Sequence, residues 1–88
     1  MISADAPRDL QISPEYGIYR PGDRIQCSAE GNPEPSNHWK DLVSGTVIQG
    51  AVLVIGEDMV NRNHTFQCTA SNQYGSSSSI LNFTVEGK

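Results

Sequence analysis

Two cysteines, and the side of the chain on which each one falls, constrain this sequence more than anything else in it. In Arg24-Ile25-Gln26-Cys27-Ser28-Ala29, the residues Ile25, Cys27 and Ala29 share one side. In Thr65-Phe66-Gln67-Cys68-Thr69-Ala70, the residues Phe66, Cys68 and Ala70 do the same. Alternation with a period of two marks a strand with one buried face. Two strands far apart in sequence therefore each bury a cysteine. The simplest arrangement that satisfies both is two sheets packed face to face, with a disulfide crossing the core. Two reduced, buried thiols also fit the pattern, because two cysteines are too few to argue a disulfide framework from composition.

Trp39 lies between the cysteines, just after Gly31-Asn32-Pro33-Glu34-Pro35, and the second cysteine opens Cys68-x-Ala70-x-Asn72-x-x-Gly75. These stretches together resemble the immunoglobulin superfamily, in its I-set or C2 branch. The resemblance runs from about Pro7 to Val85. It implies an all-β, immunoglobulin-like two-sheet sandwich of about seven strands, one inter-sheet disulfide Cys27–Cys68, and Trp39 packed on that bond. It places the domain at residues 7–86 and leaves residues 1–6 as a linker or expression lead-in.

At 88 residues the chain is one domain. A chain this small buries only roughly 60–65% of its unfolded surface, so its core is marginal. A cross-link spanning about forty residues adds roughly 4 kcal/mol in the chain-entropy model, a large share of the net stability of such a domain. The six basic residues are scattered in a chain of net charge -4, with no cluster to neutralise phosphates, which argues against nucleic acid as a partner. No apolar run approaches the length that spans a bilayer, so direct membrane insertion by this segment is not expected. The opening Met1-Ile2-Ser3-Ala4-Asp5 lacks the pattern of a signal peptide. We read Met1 as an expression start and the chain as a piece of a larger protein.

Along the chain, Leu10 and Ile12 face inward on a first strand over 8–13. Pro14-Glu15-Tyr16-Gly17 breaks it, and 18–20 forms its second half on the other sheet. Pro21-Gly22-Asp23 is a turn. Strands are expected at 23–30, 36–42, 51–55, 64–71 and about 77–86, with a short C′ or D strand at 46–49. Core positions are Trp39, Leu53, Ile55 and Phe66, joined by Leu81, Phe83 and Val85. Too few residues separate Trp39 from Leu53 to hold the extra strand pair of a variable domain. Two positions depart from the family pattern. Asn37 stands where an aliphatic residue faces in, so its amide must find partners or the strand must bulge. Phe66 stands where the family writes tyrosine, so the hydroxyl of the tyrosine corner is missing; the Asp that the family often writes four residues earlier is missing with it, and below-average stability is expected from both losses.

No catalytic set, cofactor motif or metal spacing is present. His38 and His64 fall on the outward parity of their strands or at a strand start, and read as solvent-facing. The carboxylates do not converge. Asn63-His64-Thr65 and Asn82-Phe83-Thr84 are sequons, so Asn63 and Asn82 are candidate N-glycosylation sites. Asn82 points outward if Leu81 and Phe83 point in, and a sugar there would close its patch of the sheet to a tight interface. The candidate ligand contacts are Pro33, Glu34 and Pro35 in one loop and Tyr74 in another at the same end of the sandwich. Tyrosine is a good interface anchor and proline costs little entropy to order.

The resemblance implies an extracellular module of a multidomain cell-surface receptor or adhesion protein, in the ectodomain of a single-pass membrane protein. Its partners would be another cell-surface or matrix protein, or neighbouring immunoglobulin domains of the same chain. It would act by protein–protein recognition or as a spacer. An intracellular structural domain of a muscle or cytoskeletal scaffold, and a secreted immune-recognition protein, are the alternatives the same residues allow.

Overall fold

A computed structural model describes residues 4–87. Its strands are β1 (Asp5–Ser13), β2 (Ile18–Tyr19), β3 (Arg24–Asn32), β4 (Ser36–Asp41), β5 (Val47–Gln49), β6 (Val52–Val54), β7 (Asn63–Asn72) and β8 (Gly75–Val85). A 3-10 turn, Glu57–Met59, lies between β6 and β7. Two sheets result: a three-stranded sheet ordered β1-β3-β6 and a five-stranded sheet ordered β2-β8-β7-β4-β5. The expected two-layer sandwich is what forms.

The first strand divides between the layers. β1 pairs antiparallel with β3 as far as Ser13, where Pro14, lacking an N–H, ends the ladder. β2 then pairs parallel with β8, Ile18 against Thr84 and Tyr19 against Val85. β1 begins at Asp5, so Asp5 and Ala6, expected in the lead-in, are strand residues; Met1, Ile2 and Ser3 lie outside the described residues. The short stretch left open between C′ and D pairs with β4 and is therefore the C′ strand. β6 forms one edge of the three-stranded sheet, with β1 at the other. β4 stops at Asp41, short of Leu42, because the Asp41 carboxylate accepts the N–H groups of Val43 and Ser44 and turns the chain.

The core sits between the layers. Cys27 on β3 and Cys68 on β7 are fully buried and bonded to each other, with an S–S distance of 2.04 Å. Trp39 is the β4 neighbour of Cys68 and is equally buried. Its Nε1–H donates to the Ala51 carbonyl at 2.9 Å, and the Cys27 N–H donates to the same oxygen at 2.9 Å. Leu53, Ile55, Phe66, Leu81, Phe83 and Val85 are all buried around them.

His64 corrects the sequence reading. It lies on the same side of β7 as Phe66 and Cys68, so its parity is inward. The ring is half-buried, stacked on Phe83 with centroids 5.5 Å apart. Its Nε2–H donates to the Met59 carbonyl at 2.8 Å, which makes the 3-10 turn a lid over that end of the core. His38 is half-buried on the outer face, opposite Gln49 and Thr69.

Candidate recognition site

The loops nominated from sequence do meet at one end of the sandwich. The β7–β8 hairpin closes through Gln73 and Tyr74, with Asn72 opposite Gly75. Asn72 organises everything around it. Its Nδ2 donates to the Asp5 carbonyl at 2.7 Å and to the Pro33 carbonyl at 2.9 Å. Its Oδ1 accepts the Tyr74 N–H at 2.9 Å. One side chain thus ties the start of β1, the β3–β4 loop and the hairpin together. Two glycines make room for this approach. A Cβ on Gly31 would lie 3.0 Å from Pro35 Cγ, 3.3 Å from Asn72 Nδ2 and 3.3 Å from Pro7 Cα. A Cβ on Gly75 would lie 3.2 Å from Ala6 Cβ.

On this frame Pro33 and Glu34 are exposed, Pro35 is half-buried, and the Tyr74 side chain stands 51% exposed. Tyr74 and Glu34 are thus exposed at this end, while Pro35 packs against Gly31. In the sequence Asn72 is legible only as a member of the Cys68-x-Ala70-x-Asn72-x-x-Gly75 stretch and as a turn residue. Nothing in its local spacing reveals a bond to Asp5, far away in the chain.

The outer face of the five-stranded sheet is a second surface. Val47, Lys40, Gln67 and Ile80 form one cross-strand row, and Gln49, His38, Thr69 and Ser78 form the next. Val47 and Ile80 are about half exposed at the two ends of their row. The two rows are polar except for those two aliphatic ends, and neither holds a Phe, Tyr or Trp.

A cleft of about 600 Å³ opens between β5 and β6, floored by Ile48, Leu53, Met59 and Phe66, with Asp41 and His64 on its wall. Burial by itself would raise the Asp41 pKa. The Val43 and Ser44 N–H bonds, the Ser44 hydroxyl and the nearby His64 outweigh it and hold the carboxyl below its ordinary 3.8. Those polar groups are already spent on the turn and on the 3-10 lid, so the cleft reads as a seam of the fold. Among the described residues no three His, Cys, Asp or Glu side chains could together hold a metal ion. Asn63 and Asn82 are both exposed on the outer face of the five-stranded sheet, on neighbouring strands.

No family model matches this sequence. Neurofascin of Gallus gallus is 33% identical over 83 residues, covering 81% of this chain and 6% of neurofascin. Contactin-4 of Homo sapiens is 31% identical over 61 residues, covering 59% of this chain and 6% of contactin-4. Among solved structures, the amphioxus IgVJ-C2 molecule superposes with a TM-score of 0.68 at 31% identity, over 89% of this chain and 43% of that one. This chain is an immunoglobulin-superfamily domain of the cell-adhesion type. It spans 6% of the length of the curated relatives it matches. A chimeric titin Z1Z2 carrying an exogenous decorin peptide superposes with a TM-score of 0.72 over 99% of this chain, and at 16% identity shows the fold alone.

The two departures of this immunoglobulin domain from its family pattern have different outcomes. Asn37 does not bulge the strand: its Nδ2 donates to the Cys27 carbonyl at 2.9 Å across the sandwich, while its buried Oδ1 has no partner among the described residues. Phe66 carries no hydroxyl, and stacks on Phe83 at 5.8 Å. A different tyrosine supplies a hydroxyl tie nearby. Tyr19 is buried edge-on against Phe83 at 5.2 Å; its O–H donates to the Pro14 carbonyl at 2.5 Å and accepts the Tyr16 N–H at 2.8 Å. That tie holds the crossover between β1 and β2.

Proposed function

We propose that this domain is an extracellular module of a multidomain cell-surface adhesion protein, and that it works by protein–protein contact through the end of the sandwich that carries Glu34 and Tyr74. The Cys27–Cys68 bond carries the first half of this reading. Both sulfurs are fully buried and joined across the layers, and disulfides persist on the oxidising side of a membrane. The similarity to neurofascin and contactin-4, which are cell-surface proteins, supports it. The second half rests on an exposed tyrosine held on a rigid frame. Asn72 fixes the hairpin and the β3–β4 loop to each other, so little ordering entropy is lost when a partner docks there.

Two measurements test this. The epitope-tagged parent protein should stain on intact, unpermeabilised cells, with Cys27 and Cys68 protected from thiol alkylation. Reduced cysteines in the native protein would overturn the extracellular reading. Tyr74→Ala and Glu34→Ala should each weaken cell–cell or cell–matrix attachment mediated by the parent, while Ser78→Ala on the outer sheet face leaves it unchanged. Equal attachment by all three variants would remove the loop end as the contact surface.

A further inference from the structure

The two sequons are widely separated in sequence, yet the ladder between β7 and β8 sets them directly against each other. Thr65 pairs with Asn82, and Asn63 pairs with Thr84. Each asparagine therefore faces the threonine of the other sequon, on the outer face of the same sheet. The Thr65 hydroxyl donates to Asn82 Oδ1 at 2.8 Å. That bond anchors the carbonyl half of the Asn82 amide and leaves Nδ2, which has no partner among the described residues, turned to solvent. The Asn63 side chain has no such anchor and sits where β7 begins.

We propose that Asn63-His64-Thr65 and Asn82-Phe83-Thr84 form one cross-strand N-glycosylation unit carrying a single oligosaccharide, borne by Asn82 in the intact chain. The reading that the domain enters the secretory pathway underlies this. In the reaction, Asn82 Nδ2 attacks the anomeric carbon of a lipid-linked oligosaccharide diphosphate. The C1–O bond breaks and the C1–Nδ2 bond forms. Nδ2 gives up one proton, and the lipid diphosphate leaves with the bonding pair. The linkage uses Nδ2 and spares Oδ1, so the bond from Thr65 survives and aims the sugar away from the sheet. Diagonal neighbours on paired strands lie only about 7–8 Å apart. Two branched glycan stems rooted at Asn63 and Asn82 would compete for the same space above Thr65 and Thr84. One glycan there covers the β2–β8 side of the sheet, including exposed Ile18 and Ile80. It leaves the β4–β5 side and the Tyr74 end open.

The test is to secrete this chain from mammalian cells behind a supplied, cleavable signal peptide. Intact mass is measured before and after enzymatic removal of N-glycans, and the modified asparagine is mapped by release in heavy-oxygen water. Wild type should carry one glycan, on Asn82. Asn63→Gln should leave it in place. Thr84→Ala, which destroys the second sequon but keeps the Asn82–Thr65 bond, should move the single glycan to Asn63. Two glycans on one wild-type molecule, none on secreted wild type, or one on Asn63 would each overturn the proposal. Because the signal peptide is supplied, a negative result here leaves the extracellular reading to be judged separately, by surface staining of the parent.

Discussion

Asn37 in the five-stranded sheet donates to the Cys27 carbonyl in the three-stranded sheet at 2.9 Å, a polar bond between the layers beside their apolar packing and the disulfide. Removing one partner of a part-buried bond leaves the other unsatisfied. Asn37→Ala should cost about 1–3 kcal/mol, read as a lower urea midpoint with unchanged slope. Asn37→Asp should cost more at neutral pH, since a carboxylate would then face a carbonyl oxygen. An alanine variant with wild-type stability would show that this bond contributes nothing net.

The disulfide closes a sequence separation of 41 residues. Replacing both cysteines by alanine should lower unfolding free energy by about 2–5 kcal/mol. The intact domain should lose a similar amount in strong reductant once the bond is opened. A double variant that melts with wild type would mean the packing of Trp39 suffices without the covalent link.

Tyr19→Phe removes the hydroxyl bonded to Pro14 and Tyr16 while keeping the ring on Phe83. A loss of about 1–2 kcal/mol is expected, with faster amide exchange at Tyr16. The pH dependence adds an independent signature. Burial, offset in part by the Tyr16 N–H and reinforced by Glu15, Tyr16 and Asp23, pushes the Tyr19 pKa above 10.0. The native state therefore holds this proton more tightly than the unfolded chain. Its contribution is complete below pH 10 and is lost as pH rises through the folded value. The stability gap between wild type and Tyr19→Phe should accordingly narrow in strong alkali.

Asn72→Ala frees the start of β1, the β3–β4 loop and the hairpin at once. It should cost about 2–3 kcal/mol, and hydrogen exchange should quicken from Asp5 to Pro7 and around Tyr74 more than in β4. Gly31→Ala, which drives a Cβ to 3.0 Å from Pro35 Cγ, should loosen the same end. Uniform exchange across the domain in Asn72→Ala would show that the three segments hold independently.

Asp41 carries the opposite pH sign. Its folded pKa lies below 3.8, so the unfolded chain binds the proton first on acidification. The stabilisation is present above the unfolded value and is lost as pH falls through the folded one. Asp41→Ala should be less stable than wild type at pH 7, and the two should converge in acid, as pH falls through the lowered folded value. A gap that persists in acid would assign the effect to packing of the turn.

The strands bearing Cys27, Trp39, Phe66 and Cys68 were readable because alternation is a local property: one residue in, one out, with each choice visible beside its neighbours. The loop residues Pro33 and Tyr74 were placed at one end correctly for the same reason, since hairpin order determines which turns share an end. His64 was misread because it sits at the strand boundary, where a shift of one position reverses the face. The ties made by Asn72 and Tyr19 were not legible. Their partners, Asp5 and Pro33 for one and Pro14 and Phe83 for the other, come from segments that local pattern does not relate to them.

What the amino-acid order determined by itself is the two-layer architecture with Cys27 and Cys68 each on a buried face, because a period-two apolar pattern leaves a small chain few other ways to remove those side chains from water. What only the tertiary structure decided is which polar groups meet. The Asn37 amide across the layers, the Asn72 clasp and the facing sequons depend on register between strands far apart in sequence, and register is set by all the contacts of the packed sandwich together.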